Sequence, residues 1–246
     1  MRALSATELL SVWESGRNQL PLQRALTILA AACPEDSFDS LARLTIGQRD
    51  ARLLRLRQIT FGSEITGVTE CPECEEKIEL SVNSSDIGPT TETQPPNELA
   101  VRANGCEARF RLPTSADLLA VKTEEELLER CLLNGGDQVI CHFERNAVES
   151  RNPVLESQNI RAAISKKMSS ADPMADIRLA LSCPSCEYKW EAPFDIVAFL
   201  WREVSAAARR LLREVHTLAT AYGWTETEIL GLSPARRHAY LEMENE

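Results

Sequence analysis

Nine residues beginning at Cys71, CPECEEKIE, return 112 positions later as CPSCEYKWE beginning at Cys183, and six of the nine are identical. Both cysteines recur, with the proline between them, the glutamate after the second cysteine, and the Lys and Glu that follow. In Cys-Pro-x-Cys the two thiols share one tight turn whose backbone N–H groups point back at sulfur. One such turn supplies two ligands, and a tetrahedral zinc ion takes four at about 2.3 Å each. The second copy completes the shell. A fold for this chain must therefore bring two distant turns together.

The flanks agree. EITGVTE and KIELSV alternate around Cys71 and Cys74, and IRLALS and YKWEAPF do the same around Cys183 and Cys186. Each knuckle reads as the tip of a strand–turn–strand unit. Two facing hairpins make a zinc ribbon, split by an insertion, with Cys71, Cys74, Cys183 and Cys186 as ligands of one structural Zn²⁺. A thioredoxin-like redox pair would open a helix instead. A catalytic zinc would leave a position open for water, and His142, His216 and His238 fall in neither motif. The other cysteines (33, 106, 131 and 141) have apolar neighbours and read as buried small hydrophobes.

Around the ribbon the chain reads as α+β, in five segments: 1–62, 63–87, 88–176, 177–195 and 196–246. In the first, Ser5 with Glu8 signals a capped helix, Pro21 opens a second, and Thr45 precedes a third ending at Gly62. Ile46, Leu53, Leu54, Leu56 and Ile59 are its core candidates, and the arginines of RDARLLRLR read as a solvated face. The inserted α/β segment begins with a Pro- and Thr-rich linker, 88–98. It continues with a hairpin turning at Asn104-Gly105, short helices SADLLAV and EEELLERCLL, a breaker NGGD, an unpatterned RNAVESRNP, and a helix in LESQNIRAAISKKMSSA. Asp172-Pro173 leads into the second knuckle. After it, Val197, Leu200, Trp201, Val204, Ala208, Leu211, Leu212, Val215, Leu218, Ala219 and Tyr222 form one apolar stripe on a long helix. Thr225 with Glu228, and Ser233-Pro234, start two short helices of a helix–turn–helix tail.

Composition narrows the function. The 27 basic and 37 acidic side chains give a net charge of −10, which repels a phosphate backbone and counts against nucleic acid as the main partner. No apolar run approaches the ~20 residues of a membrane span. The N-terminus lacks the apolar core of a signal peptide and reads as an ordinary helix start, so the expected place is the cytoplasm of the producing cell. No phosphate loop, nucleophile elbow or zincin motif is present, so the reading is non-enzymatic.

GQRDARLLRLRQITFGSEITGVTECPECEEKIELSV resembles the T-even-type phage baseplate family, which comprises hub assembly chaperones and related hub subunits. The pattern falls on Asp50, Leu56, Arg57, Phe61, Gly62, Cys71 and Cys74. RFRLPTSADL, from Arg109 to Leu118, is similar to the family's next stretch, and the ending YGWTETEILGLSPARRHAYLE is similar to that of small tail-assembly proteins. The second knuckle and the long tail go beyond that core pattern. The resemblance implies a chaperone or resident part of the baseplate hub of a contractile phage tail or phage-tail-like injection system. Its partners would be hub or other tail proteins, and its place the producing cell or the assembled particle. A zinc-ribbon nucleic-acid-binding or regulatory protein is the rival.

The long stripe suggests a division. Leu200, Trp201 and Val204 are expected to pack internally against the ribbon. Leu211, Val215, Leu218 and Tyr222, with Trp224, are expected to form a face for a partner or for self-association.

Overall fold

The computed structural model describes residues 1–87, 94–103, 106–133, 140–141 and 158–244. Mixed helices and small antiparallel sheets make up the chain, which groups into two compact units, Met1–Glu35 with Ile196–Glu246, and Asp36–Asp195. The helices expected as segment 1–62 are thus shared between the units.

Unit 1 is helical: α1 (Ala6–Gly16), α2 (Pro21–Ala32), α8 (Ile196–Tyr222), α9 (Glu226–Gly231) and α10 (Pro234–Glu244). Ser5 caps α1 in a reciprocal box with Glu8, and Pro21 opens α2. Arg2 pairs with Glu8 and, with the Ser5 hydrogen bonds, holds that carboxyl down at about 2. The inner face of α2, including Leu26, Ile28 and Leu29, is fully buried.

The 27-residue α8 packs on α1 and α2, and on α9 and α10. Trp201 lies over Gly16, where an added Cβ would sit 2.5 Å from the indole ring, and the Arg24 guanidinium lies 4.5 Å from the centre of that ring. Trp201 therefore packs on the N-terminal helices. Further along, Arg237 of α10 donates to Glu214 of α8 at 3.0 Å.

Unit 2 begins with α3 (Phe38–Ala42), a short helix capped by Ser37 that the polar stretch DSFDS concealed. In α4 (Ile46–Phe61), Leu53, Leu54 and Leu56 are buried, whereas Ile59 is exposed. Two arginines read as solvated are buried: Arg49 donates to Asp50 at 2.7 Å, and Arg57 donates to the Gly62 carbonyl at 2.8 Å. Desolvation explains why both are paired, since a buried guanidinium without an acceptor is strongly unfavourable. Burial also raises the Asp50 carboxyl, against the pull of Arg49.

The inserted segment has its own core. Strands β3 (Leu99–Ala103), β4 (Cys106–Phe110) and β5 (Ile140–Cys141) form an antiparallel sheet with Leu99 opposite Phe110 and Cys106 opposite Cys141. Helices α5 (Ser115–Ala120) and α6 (Glu124–Cys131) follow β4, and α7 (Gln158–Ala171) packs on β3. Phe110, Leu112, Leu128, Ile160 and Ile164 are buried together. The Asn104-Gly105 turn, NGGD, RNAVESRNP, His142 and part of the Pro- and Thr-rich linker lie outside the described residues.

Polar contacts at two places tie this insertion to α4. The Asp172 carboxylate, just beyond α7, accepts from the Gly47 N–H at 2.9 Å in the first turn of α4, where the helix dipole favours a negative charge. A Cβ on Gly47 would lie 1.9 Å from Asp172 Oδ1. Thr114 pairs with Thr45 as an isolated bridge, and the Ile46 N–H donates to the Pro113 carbonyl at 3.3 Å. Asp117 locks that junction, accepting from Arg111 at 2.6 and 2.8 Å and from the Thr114 hydroxyl at 2.7 Å.

Candidate metal centre

The two knuckles cap hairpins of the expected kind: β1 (Glu64–Glu70) with β2 (Lys77–Asn83), and β6 (Arg178–Ser182) with β7 (Lys189–Pro193). Glu70 faces Lys77 in the first and Ser182 faces Lys189 in the second. Alternation puts Ile78, Leu80 and Val82 on one face of β2, and Leu181 opposite Trp190 in the second hairpin.

The turns are built alike. The Cys71 N–H donates to the Glu76 carbonyl at 2.9 Å and the Glu75 N–H to the Cys71 carbonyl at 2.9 Å. In the second turn, Cys183 donates to Tyr188 at 2.8 Å and Glu187 to Cys183 at 3.0 Å. Glu75 (φ 60°) and Glu187 (φ 61°) both take the left-handed conformation that lets each chain leave the turn. The glutamate repeated in the sequence is thus the residue at the same backbone hinge.

These turns bring the four thiols together. Cys71 Sγ lies 3.7 Å from Cys186 Sγ, and Cys74 Sγ lies 3.6 Å from Cys183 Sγ. All four sulfurs fall within 4.8 Å of one another. Ligands about 2.3 Å from a tetrahedral ion lie about 3.8 Å apart, whereas a disulfide requires about 2.05 Å. The spacing is that of a ligand shell. Among the described residues, this is the one group of three or more His, Cys, Asp or Glu side chains arranged to hold a metal. Cys71 and Cys183 are buried, while Cys74 and Cys186 are exposed.

The electrostatics suit a cation. Backbone N–H groups of Cys186 and Ser185 turn toward Cys183 and bring its thiol down to about 7. At Cys74 the Glu76 N–H favours the thiolate, but the crowding thiols, led by Cys186, together with desolvation push it up to about 12. Cys186 is likewise raised, the Tyr188 N–H being outweighed by desolvation and by Cys183 and Cys71. Four thiolates do not share this volume without a counter-charge, and a dication provides one. An all-thiolate tetrahedral set selects soft or borderline metals such as zinc or iron.

The expected partner face is distributed differently. Leu211 (3% exposed) and Leu218 (0%) are buried inside unit 1. The tail folds back on the same helix: α9 and α10 both pack on α8, with Ile229 fully buried. Val215 and Trp224 are half-buried, and Tyr222 is exposed. Tyr222 stacks on Trp224 at 4.7 Å between ring centres, and Tyr240 meets the two edge-on at 5.6 and 4.8 Å. Tyr240 had no periodic signal to mark it, because its helix is short and mostly polar.

Among the described residues, no helix is long and apolar enough to cross a membrane. Comparison with curated proteins and with solved structures gave no match. A family model described as T4 bacteriophage base plate protein matches residues 5–201, a span that includes both knuckles, so the second lies within the family's reach rather than beyond it. That match covers well over half of the 246 residues and all of unit 2, and the chain belongs to the T4 bacteriophage base plate protein family.

Proposed function

We propose that this chain is a non-enzymatic assembly factor or structural component for the baseplate hub of a contractile phage tail or phage-tail-like injection system, with one structural Zn²⁺ held by Cys71, Cys74, Cys183 and Cys186. The observation that carries the reading is the match to the base plate family over residues 5–201, which spans all four thiols. The family points to a structural or assembly role among other phage tail proteins. A shell of four thiolates has no position for a reacting water, so the ion serves the fold.

Partner contact is assigned to the C-terminal end of unit 1. Val215, Tyr222 and Trp224 keep part of their surface open there, and aromatic side chains with a polar edge suit an interface. The protein acts in the cytoplasm of the producing cell, where tails are built, and either leaves the hub or stays in the particle.

Removing the gene from a tail-producing strain tests this directly. The expected result is loss of complete baseplates, restored by the wild-type chain. Mass spectrometry of purified particles then separates the two roles: a resident subunit is found in them and a chaperone is not. Complete, functional tails made without the gene would end the proposal. Metal analysis of the purified chain should return one zinc per molecule, and iron in its place would change the identity of the ion.

A further inference from the structure

Unit 1 and unit 2 carry very different charge. Residues 36–195 hold 27 acidic and 18 basic side chains, so they account for nine of the ten net negative charges of the chain. The densest part is the first knuckle, where Glu70, Glu73, Glu75, Glu76 and Glu79 are all exposed and Lys77 is the one cation among them. Four thiolates around a dication leave two further negative charges at that tip.

The outward face of α8 has the opposite character. Between Arg202 and His216 its exposed positions are Arg202, Ala206, Arg209, Arg210, Leu212, Arg213 and His216, with no carboxylate among them. Its two glutamates in this stretch, Glu203 and Glu214, are half-buried, and Glu214 also accepts from Arg237 at 3.0 Å. Arg202, Arg209 and Arg213 follow one another at helical steps over about 16 Å. The small Ala206 between them lets another backbone approach. This face is opposite the buried stripe of Leu200, Val204 and Leu211, so the packing of unit 1 does not use it.

We infer that the arginine face of α8 docks the acidic first knuckle of a second copy of this chain. Charge complementarity singles out that occupant: the chain carries both surfaces, and the knuckle concentrates five glutamates within ten residues. A net charge of −10 works against duplex DNA on the same face. The contact joins two different patches, so each copy offers a free arginine face and a free knuckle, and association continues to a ring or a filament. Because the partners are exposed charges, the contact is strongly screened by salt.

The test uses the full metal-loaded chain in sedimentation velocity at two ionic strengths. At about 0.01 M salt the Debye length is about 30 Å and at about 1 M it is about 3 Å. The expected result is association in the first and a monomer in the second. Arg209→Glu with Arg213→Glu should be monomeric at low salt, as should Glu73→Lys with Glu76→Lys. Mixing the two variants should restore association, since each supplies the face the other has reversed. Metal content and far-UV circular dichroism show that each variant is folded. If the knuckle variant loses its metal, Glu70→Lys with Glu79→Lys, on the strands, takes its place. A monomeric wild type at low salt overturns the inference, as does a charge-reversed variant that still associates. Failure of the mixture to associate overturns it too. A duplex DNA that binds the wild type and is lost with the arginine variant would assign the face to nucleic acid instead.

Discussion

Unit 1 and the two hairpins reach order by different means. In unit 1, Leu26, Ile28, Leu29, Leu200, Val204 and Leu218 are fully buried, a dense apolar core between helices. In the four hairpin strands, Ile65 is the one residue that is fully buried, and the others alternate between half-buried and exposed. An isolated two-stranded hairpin is marginal in water. The cysteines stand where the hydrophobic effect has too little surface to act on. Apolar burial orders one region, and the other brings together four thiols spaced to hold a metal ion.

Removing the ion attacks that contrast most directly. Binding free energies at structural zinc sites are on the order of 10–16 kcal/mol and couple to folding. Chelation, or Cys71→Ser, should therefore release the metal and abolish hydrogen-exchange protection in β1, β2, β6 and β7. Helical protection in α2 and α8 should persist. Hairpins that stay protected in the metal-free chain would show that their apolar faces suffice, and the contrast would fail.

The converse cut is made in unit 1. Leu218→Ala removes a fully buried side chain and should cost about 2–5 kcal/mol. Thermal unfolding should shift down while the metal content stays at one per chain. Tyr222→Ala, at the exposed aromatic cluster, should leave the melting curve nearly in place. Loss of metal in the Leu218 variant would mean the two regions are not separately stabilised.

Asp117 tests a third means, a polar lock. Burial alone would raise its carboxyl, but Arg111 and Thr114 outweigh burial and hold it well below the usual carboxylate range. Its folded value lies below the unfolded one of about 3.9. Its contribution is therefore complete above that pH and is lost as pH falls through the folded value. Asp117→Asn should cost about 2–3 kcal/mol at neutral pH, as expected for charge-assisted hydrogen bonds. The difference between wild type and variant should narrow below about pH 4. A gap that stays constant down to pH 2 would exclude the ion pair as its cause.

Local signals in the sequence were legible where one residue type has one physical use. Ser5 with Glu8 and Thr225 with Glu228 form capping boxes, and Thr45 caps the helix it was expected to precede. The repeated Cys-Pro-x-Cys implied its own meeting, and the sulfurs lie within 4.8 Å. Tertiary context hid the rest. Arg49 and Arg57 look like surface residues until Asp50 and the Gly62 carbonyl are placed beside them. Nothing in the spacing of Leu211 and Leu218 says that both are buried within unit 1. Nor does the glycine at 47 announce the Asp172 carboxylate 125 residues later.

Inside the knuckles, backbone strain sets a smaller energy. Glu75 and Glu187 hold φ values of 60° and 61°, where a side chain with a Cβ is strained by roughly 1–2 kcal/mol. Glycine relieves that strain but loses about 0.5–1 kcal/mol to its freer unfolded chain. Glu75→Gly should therefore stabilise the metal-loaded hairpin by about 0.5–1 kcal/mol. Glu75→Ala is the control, since it removes the same negative charge near the thiolates but keeps the Cβ. If strain is the cause, glycine gains and alanine does not. Equal gains would mean that repulsion between the glutamate and the thiolate shell outweighs the backbone strain, and the knuckle's weakness would be electrostatic rather than conformational. Hydrogen exchange of the Glu76 and Lys77 amides, compared at one metal concentration, reads the difference without unfolding unit 1.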